Sequence, residues 1–185
     1  MRFERIFEDL EGRFEHHEQE ELRAVSEDLA RAERAQLTLA DRLRGAGRRE
    51  LTLHVGSGLR LAGAVEEVGA EWVSLRETRT AQRAVVPLAA IGIVEGLSSR
   101  ARPAEESLRS PLRSPLRLGS VLREIARDRS VVRLETTAGT VLGRIAGVGA
   151  DALDVLSLPT GESSSVPGSA RLTVTMSSLL AVLPR

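Results

Sequence analysis

Apolar residues follow two different periods along this chain, and the change of period marks its parts. Phe3, Phe7, Leu10 and Phe14 recur at spacings of four, three and four, which puts them on one helical face. The stripe loses register at His16-His17-Glu18 and resumes with Leu22, Val25, Leu29, Leu39 and Leu43. Residues 2–46 contain no proline, and Gly12 is the only glycine before Gly45. The pattern therefore predicts helix to about residue 46, with a break near residue 17 and a stop at Gly45 and Gly47. From Leu51 the period drops to two: Leu51, Leu53 and Val55, then Leu59, Leu61, Gly63 and Val65, alternate with polar or small residues across the turn Gly56-Ser57-Gly58. Val73 and Leu75, Ala84 to Val86, and Ile91 to Val94 supply three more short strands, with a helical turn at Pro87 to Ala90 before the last.

Residues 98–117 break both periods. Ser110-Pro111-Leu112-Arg113 is followed at once by Ser114-Pro115-Leu116-Arg117, and proline at each step favours extended chain, so an exposed tether is expected. A short helix over about 118–128, carrying Leu118, Val121, Leu122 and Ile125, leads into a second set of strands.

The second set repeats the first. GAVEEVGAEWVSL at Gly63 to Leu75 is echoed by GRIAGVGADALDV at Gly143 to Val155. Val132 and Leu134 answer Leu51 and Leu53, and Val174, Met176 and Leu179 to Val182 answer Val86, Leu88 and Ile91 to Val94. A repeat of this length is a duplicated domain. Gly63 and Gly143 suit a second strand that curls sharply, and Gly69 and Gly149 suit hairpin positions with positive φ. Five short strands about a bent second strand predict a small closed barrel. The chain thus divides into an acidic helical segment (1–46), a first barrel (47–97), a Pro/Ser/Arg linker (98–117), and a short helix with a second barrel (118–185).

A helix followed by five strands, with G-x-V-x-x-V-G-x-E-x-V-x-L across strands two and three, resembles the Sm-like and wider SH3-like barrels. The chain as a whole, with MRFERIFEDLE, LADRLR, VGAEWVSL and VPLAAI, also resembles an actinobacterial family of unknown function sometimes labelled Fis-like transcriptional regulators. The carboxy-terminal end reads as strand and carries no helix-turn-helix pattern. The Sm-like resemblance implies a mainly β fold with α, built as two tandem five-stranded barrels, and it implies RNA binding. It also implies pairing between strands four and five of neighbouring barrels, here within one chain as a pseudo-dimer. The RNA motif is not matched: the positions that hold Asp and Met-Asn in that family hold Gly69, Trp72 and Val73 in one copy and Gly149, Ala152 and Leu153 in the other. PLAAI and TMSSL stand where an Arg-Gly step is expected.

Charge narrows the partner. Among the 185 residues, 26 basic side chains, all arginine, balance 26 acidic ones. That balance argues against DNA, which is gripped through its phosphates by basic excess. Residues 1–29 carry ten acidic and four basic side chains, which suits a basic protein partner. Phe3, Phe7, Leu10 and Phe14 are candidate docking anchors, and so is Trp72, the sole tryptophan, which alternates out of the Val73–Leu75 face. An attached helix covering Trp72 is the competing expectation. Arg76, Arg79 and Arg83, after strand three, are the candidate RNA contacts of the alternative reading. Glu15 to Glu21 contains two histidines but no HExxH spacing, so no metal site is expected, and no P-loop, dinucleotide or GxSxG motif points to a cofactor or an enzyme. Without cysteine, signal peptide or membrane-length apolar run, a cytoplasmic protein is expected. The reading is a non-enzymatic interaction module binding a protein, self-association being compatible with it; the alternative is an Sm-like RNA-binding protein.

Overall fold

The computed structural model describes residues 23, 25–28, 31–32, 35–56, 58–98, 109–158 and 170–185. They fall into two compact units, residues 1–37 and 38–185. In the first unit, residues 25–28, 31–32 and 35–36 are helical. Arg31 and Asp28 pair at 3.2 Å one turn apart in solvent, an arrangement that adds little stability. Phe3, Phe7, Leu10 and Phe14, together with Glu15 to Glu21, lie outside the described residues.

The second unit opens with its own helix. Leu37 and Thr38 are not helical, and α1 (Leu39–Ala46) starts afresh behind Thr38. The reason is a capping box: the Asp41 amide donates to the Thr38 hydroxyl at 3.2 Å, and the Thr38 amide donates to the Asp41 carboxylate at 3.1 Å. Gly47, at φ 65°, ends the helix. Replacing Thr38 by alanine is expected to cost about 1 kcal/mol, read as a lower urea midpoint at unchanged slope.

Ten strands follow: β1 (Glu50–Val55), β2 (Leu59–Val68), β3 (Trp72–Glu77), β4 (Arg83–Pro87), β5 (Ile91–Glu95), β6 (Val132–Thr136), β7 (Gly139–Val148), β8 (Ala152–Ser157), β9 (Arg171–Thr175) and β10 (Leu179–Pro184). A helix, α2 (Leu118–Asp128), precedes β6. The strands make one antiparallel sheet in the order β5-β1-β2-β3-β4-β10-β6-β7-β8-β9. Each half therefore has the same internal order, and the halves join where Val85 of β4 lies opposite Val182 of β10. This corrects the expectation of closed barrels. The sheet is open, because the outer edge of β4 bonds to β10 and does not return to β5.

The repeat extends to irregularities. Register slips between Val65 and Glu67 on β2 and at the equivalent step, Ile145 to Gly147, on β7. A 3₁₀ turn precedes each last strand, at Leu88–Ala90 and at Met176–Ser178. Gly63 and Gly143 both sit where the adjacent strand crosses closest. A Cβ on Gly63 would strike the Arg76 carbonyl oxygen, and one on Gly143 the Leu156 carbonyl oxygen. Gly69 and Gly149 do not have positive φ, contrary to the hairpin expectation. Gly69 is instead required by the Trp72 indole, which occupies the space of its missing Cβ.

Two apolar clusters fill the unit. One gathers Leu43, Leu51, Leu53, Leu61, Val65, Val73 and Leu75, and also takes Ala181 and Leu183 from β10. The other gathers Leu122, Leu134, Ile145, Leu153, Val155 and Leu179, and takes Trp72 and Val85 from the first half. Each half thus lends side chains to the other's core. Residues 109–117 form no helix, and they are not a free tether: Pro111 and Leu112 make a turn closed by the Arg113 amide on the Ser110 carbonyl at 3.0 Å. Val68 donates to the Leu112 carbonyl at 2.6 Å, Ser114 donates to the Val68 carbonyl at 3.0 Å, and Leu112 is buried.

Candidate interface groove

Where the halves meet, α2 lies beside the β4–β10 junction and leaves a cleft of about 290 Å³. Its apolar lining comes from Val85, Val121, Ile125, Val132 and Val182, and its polar lining includes Glu67, Arg83, Glu124 and Asp128. The helix supplies Val121, Glu124, Ile125 and Asp128 at spacings of three, one and three, so one stripe presents both apolar and acidic groups to the cleft. Three carboxylates face one guanidinium around it. That guanidinium is already engaged: Arg83 reaches Glu67 at 3.0 Å, Glu66 at 3.7 Å and the buried Ser74 hydroxyl at 3.3 Å. The cleft therefore offers an apolar floor under a rim with an acidic balance.

The residues singled out in the sequence take different places around this cleft. Trp72 is fully buried, which removes it as a docking surface for a partner. It belongs to the second apolar cluster with Leu118, Val121 and Leu122 of α2, and its Nε1 donates to the Leu116 carbonyl at 2.9 Å. The structure gives this side chain burial, with its indole held by the segment that leads into α2. Ser74, which shares its face, is also fully buried.

Arg76 donates to Glu66 at 2.6 Å and to the Ala81 carbonyl at 3.0 Å. Arg79 is the most exposed of the three, 3.8 Å from Glu77. The trio is not gathered into a cationic patch. Glu66, Glu67 and Glu77 accompany the three arginines, so the local field is mixed. Gly63 and Gly143 hold the two strand crossings, and Gly69 makes room for Trp72.

The groove itself was not legible in the sequence. Its floor joins Val85 to Val132 and Val182, residues of both halves, and its outer wall is a helix whose Ile125 and Glu124 read as ordinary amphipathic positions. A useful signal was present in the high apolar content of Val121, Leu122 and Ile125 beside Glu124 and Asp128. Among the described residues, no three His, Asp or Glu side chains gather as a cation site, and no helix is long and apolar enough to cross a membrane.

No family model matches the chain, and no curated protein does.

Proposed function

We propose that this protein is a non-enzymatic interaction module of Sm-like ancestry, a pseudo-dimer of two five-stranded units that binds a protein partner in the junction groove. The observation that carries the reading is the pairing of an apolar floor (Val85, Ile125, Val182) with the acidic rim of Glu67, Glu124 and Asp128. Such a site suits a segment that inserts one apolar side chain and flanks it with arginine or lysine. Apolar burial supplies affinity, and the rim charges supply orientation and association rate. The acidic residues 1–29 favour the same basic partner.

Support for the RNA alternative is weaker. Arg76 and Arg83 are each within 3.0 Å of a carboxylate oxygen, so a phosphate competes with an existing ion pair at both. Affinity capture from the cells of origin, with and without RNase, separates the two. A protein partner retained after RNase and lost with Ile125→Arg supports the groove, and the expected weakening is about 2 kcal/mol, roughly thirtyfold. Enrichment of RNA with a steep loss of affinity in added salt overturns it.

A further inference from the structure

Residues 109–117 form a strap across the unit, and its duplicated quartet docks in one repeated pose. In each copy the leucine amide donates to the serine hydroxyl two residues back, Leu112 to Ser110 at 3.3 Å and Leu116 to Ser114 at 3.4 Å. Leu112 enters the first apolar cluster, and Leu116 packs against the second. Each leucine carbonyl takes a donor from the sheet, the Val68 amide at 2.6 Å and the Trp72 indole at 2.9 Å. Arg109, Pro111, Arg113, Pro115 and Arg117 are exposed, whereas Ser110 and Ser114 are half-buried. The strap thus shows solvent an alternating run of arginine and proline.

The two serines differ in one contact. The Ser110 hydroxyl donates to the Arg44 carbonyl at 3.4 Å, in the last turn of α1. It supplies a donor to one of the carbonyls that a helix end leaves without an intrahelical partner. Among the described residues, the Ser114 hydroxyl bonds only within the strap.

We propose that Ser110 is a phosphorylation site and that its phosphate unseats the strap. A protein kinase transfers the γ-phosphoryl group of a nucleoside triphosphate to the Ser110 oxygen. A new O–P bond forms, the hydroxyl proton passes to a base of the kinase, and the nucleoside diphosphate leaves. The exposed Arg109, Pro111 and Arg113 are the side chains available for recognition, and local opening of the strap presents the hydroxyl. The phosphate ester has no O–H to give the Arg44 carbonyl. It also sets about two negative charges against the carbonyl end of α1. The Arg44 guanidinium does not compensate, because Asp41 and the Gly69 carbonyl already hold it, each at 3.0 Å. The modified strap therefore stays open. Its bonds at Leu112 and Ser114 both fall on Val68, so they are lost together, and the Leu116 carbonyl then leaves the indole. Leu116 also lines the junction groove, so phosphorylation changes the wall that a partner meets, a consequence that rests on the function proposed above.

Phosphoserine installed at position 110 of the full chain through an expanded genetic code tests the switch without the kinase. The single tryptophan gives one indole N–H resonance, and the Val68 amide reports the bond to Leu112. Val68 amide exchange is expected to quicken about tenfold and the indole resonance to shift, with unchanged far-ultraviolet circular dichroism. Treatment with a phosphatase is expected to reverse both changes. Ser110→Ala, which loses the hydrogen bond without gaining charge, is expected to do less, and so is phosphoserine at position 114. Mass spectrometry of the protein from its cells of origin is expected to find phosphate on Ser110. Unchanged Val68 exchange in the phosphorylated protein overturns the proposal, as does an equal effect of Ser110→Ala or loss of the strand signal. Protein from the cells without phosphate on Ser110 overturns it too. None of these readouts involves a partner, so their failure and the failure of the groove reading are separate results.

Discussion

Replacement of Trp72 by alanine is expected to lower the unfolding free energy by about 3–5 kcal/mol, the largest loss from any single substitution considered for this protein. The side chain is rooted on β3 of the first half but buried among Leu118, Val121, Leu122 and Leu134 of the second. Truncation empties a space bounded by both halves, and it leaves the Leu116 carbonyl without its indole donor. Neither half can collapse into the gap without pulling on the other. Trp72→Phe separates the two contributions, because it keeps most of the apolar volume and loses the donor, at an expected cost of about 1–2 kcal/mol. Denaturant midpoints of the three proteins measure both steps. Trp72 is the only tryptophan, so emission from wild type and from other variants reports this junction directly. A blue-shifted maximum that moves red in one step with the far-ultraviolet signal is expected. A red-shifted maximum in the native protein, or alanine within 1 kcal/mol of wild type, would contradict the buried junction.

The second large effect is expected at the paired glycines. Gly63→Ala and Gly143→Ala each push a methyl group into a backbone carbonyl, that of Arg76 or that of Leu156. Backbone cannot swing aside as a flexible side-chain tip does. The bent strand must open against the register that pairs Gly63 with Glu77 and Gly143 with Ser157. A loss of about 1–3 kcal/mol is expected for each, the range found when a packed interior is overfilled. Gly63 on β2 and Gly143 on β7 are separated in the sheet by β3, β4, β10 and β6, so the double variant is expected to add the single losses within about half a kcal/mol. Gly149→Ala is the useful contrast. Its nearest obstacle is the Ala152 carbonyl oxygen at 3.1 Å, and its φ is ordinary, so it is expected to cost less than either. If Gly149→Ala proves as harmful as Gly143→Ala, crowding at the strand crossing is not the cause.

Much of the strand plan was legible in local sequence. Alternation at Leu51, Leu53 and Val55, and again at Val132 and Leu134, reports a sheet with one face buried, because side chains on a strand point to opposite faces in turn. The helical turn before Ile91 and the helix over 118–128 were equally local. The start of α1 was legible too, in Thr38 followed three residues later by Asp41, but the continuous run of helix-forming residues masked it. The linker was half legible. Its prolines exclude helix, yet whether the segment floats or docks depends on a partner for Leu112, and Val68 is 44 residues away.

The candidate site was less visible, for a physical reason shown by Trp72. Alternation places Val73 and Leu75 on one face of β3 and Trp72 and Ser74 on the other, and the sequence by itself determined that much. It also determined, through the echo of Gly63 by Gly143, that the same five-stranded plan is used twice. Only the tertiary structure decided what lies against the second face of β3. Because β4 pairs with β10, the second half covers that face, buries Trp72 and Ser74, encloses the groove beneath α2, and leaves β5 and β9 at the two ends of the sheet. Period-two patterning records which face a residue occupies. Which element covers that face is settled by contacts between residues about a hundred positions apart, such as Val85 with Val182, and no local pattern records those.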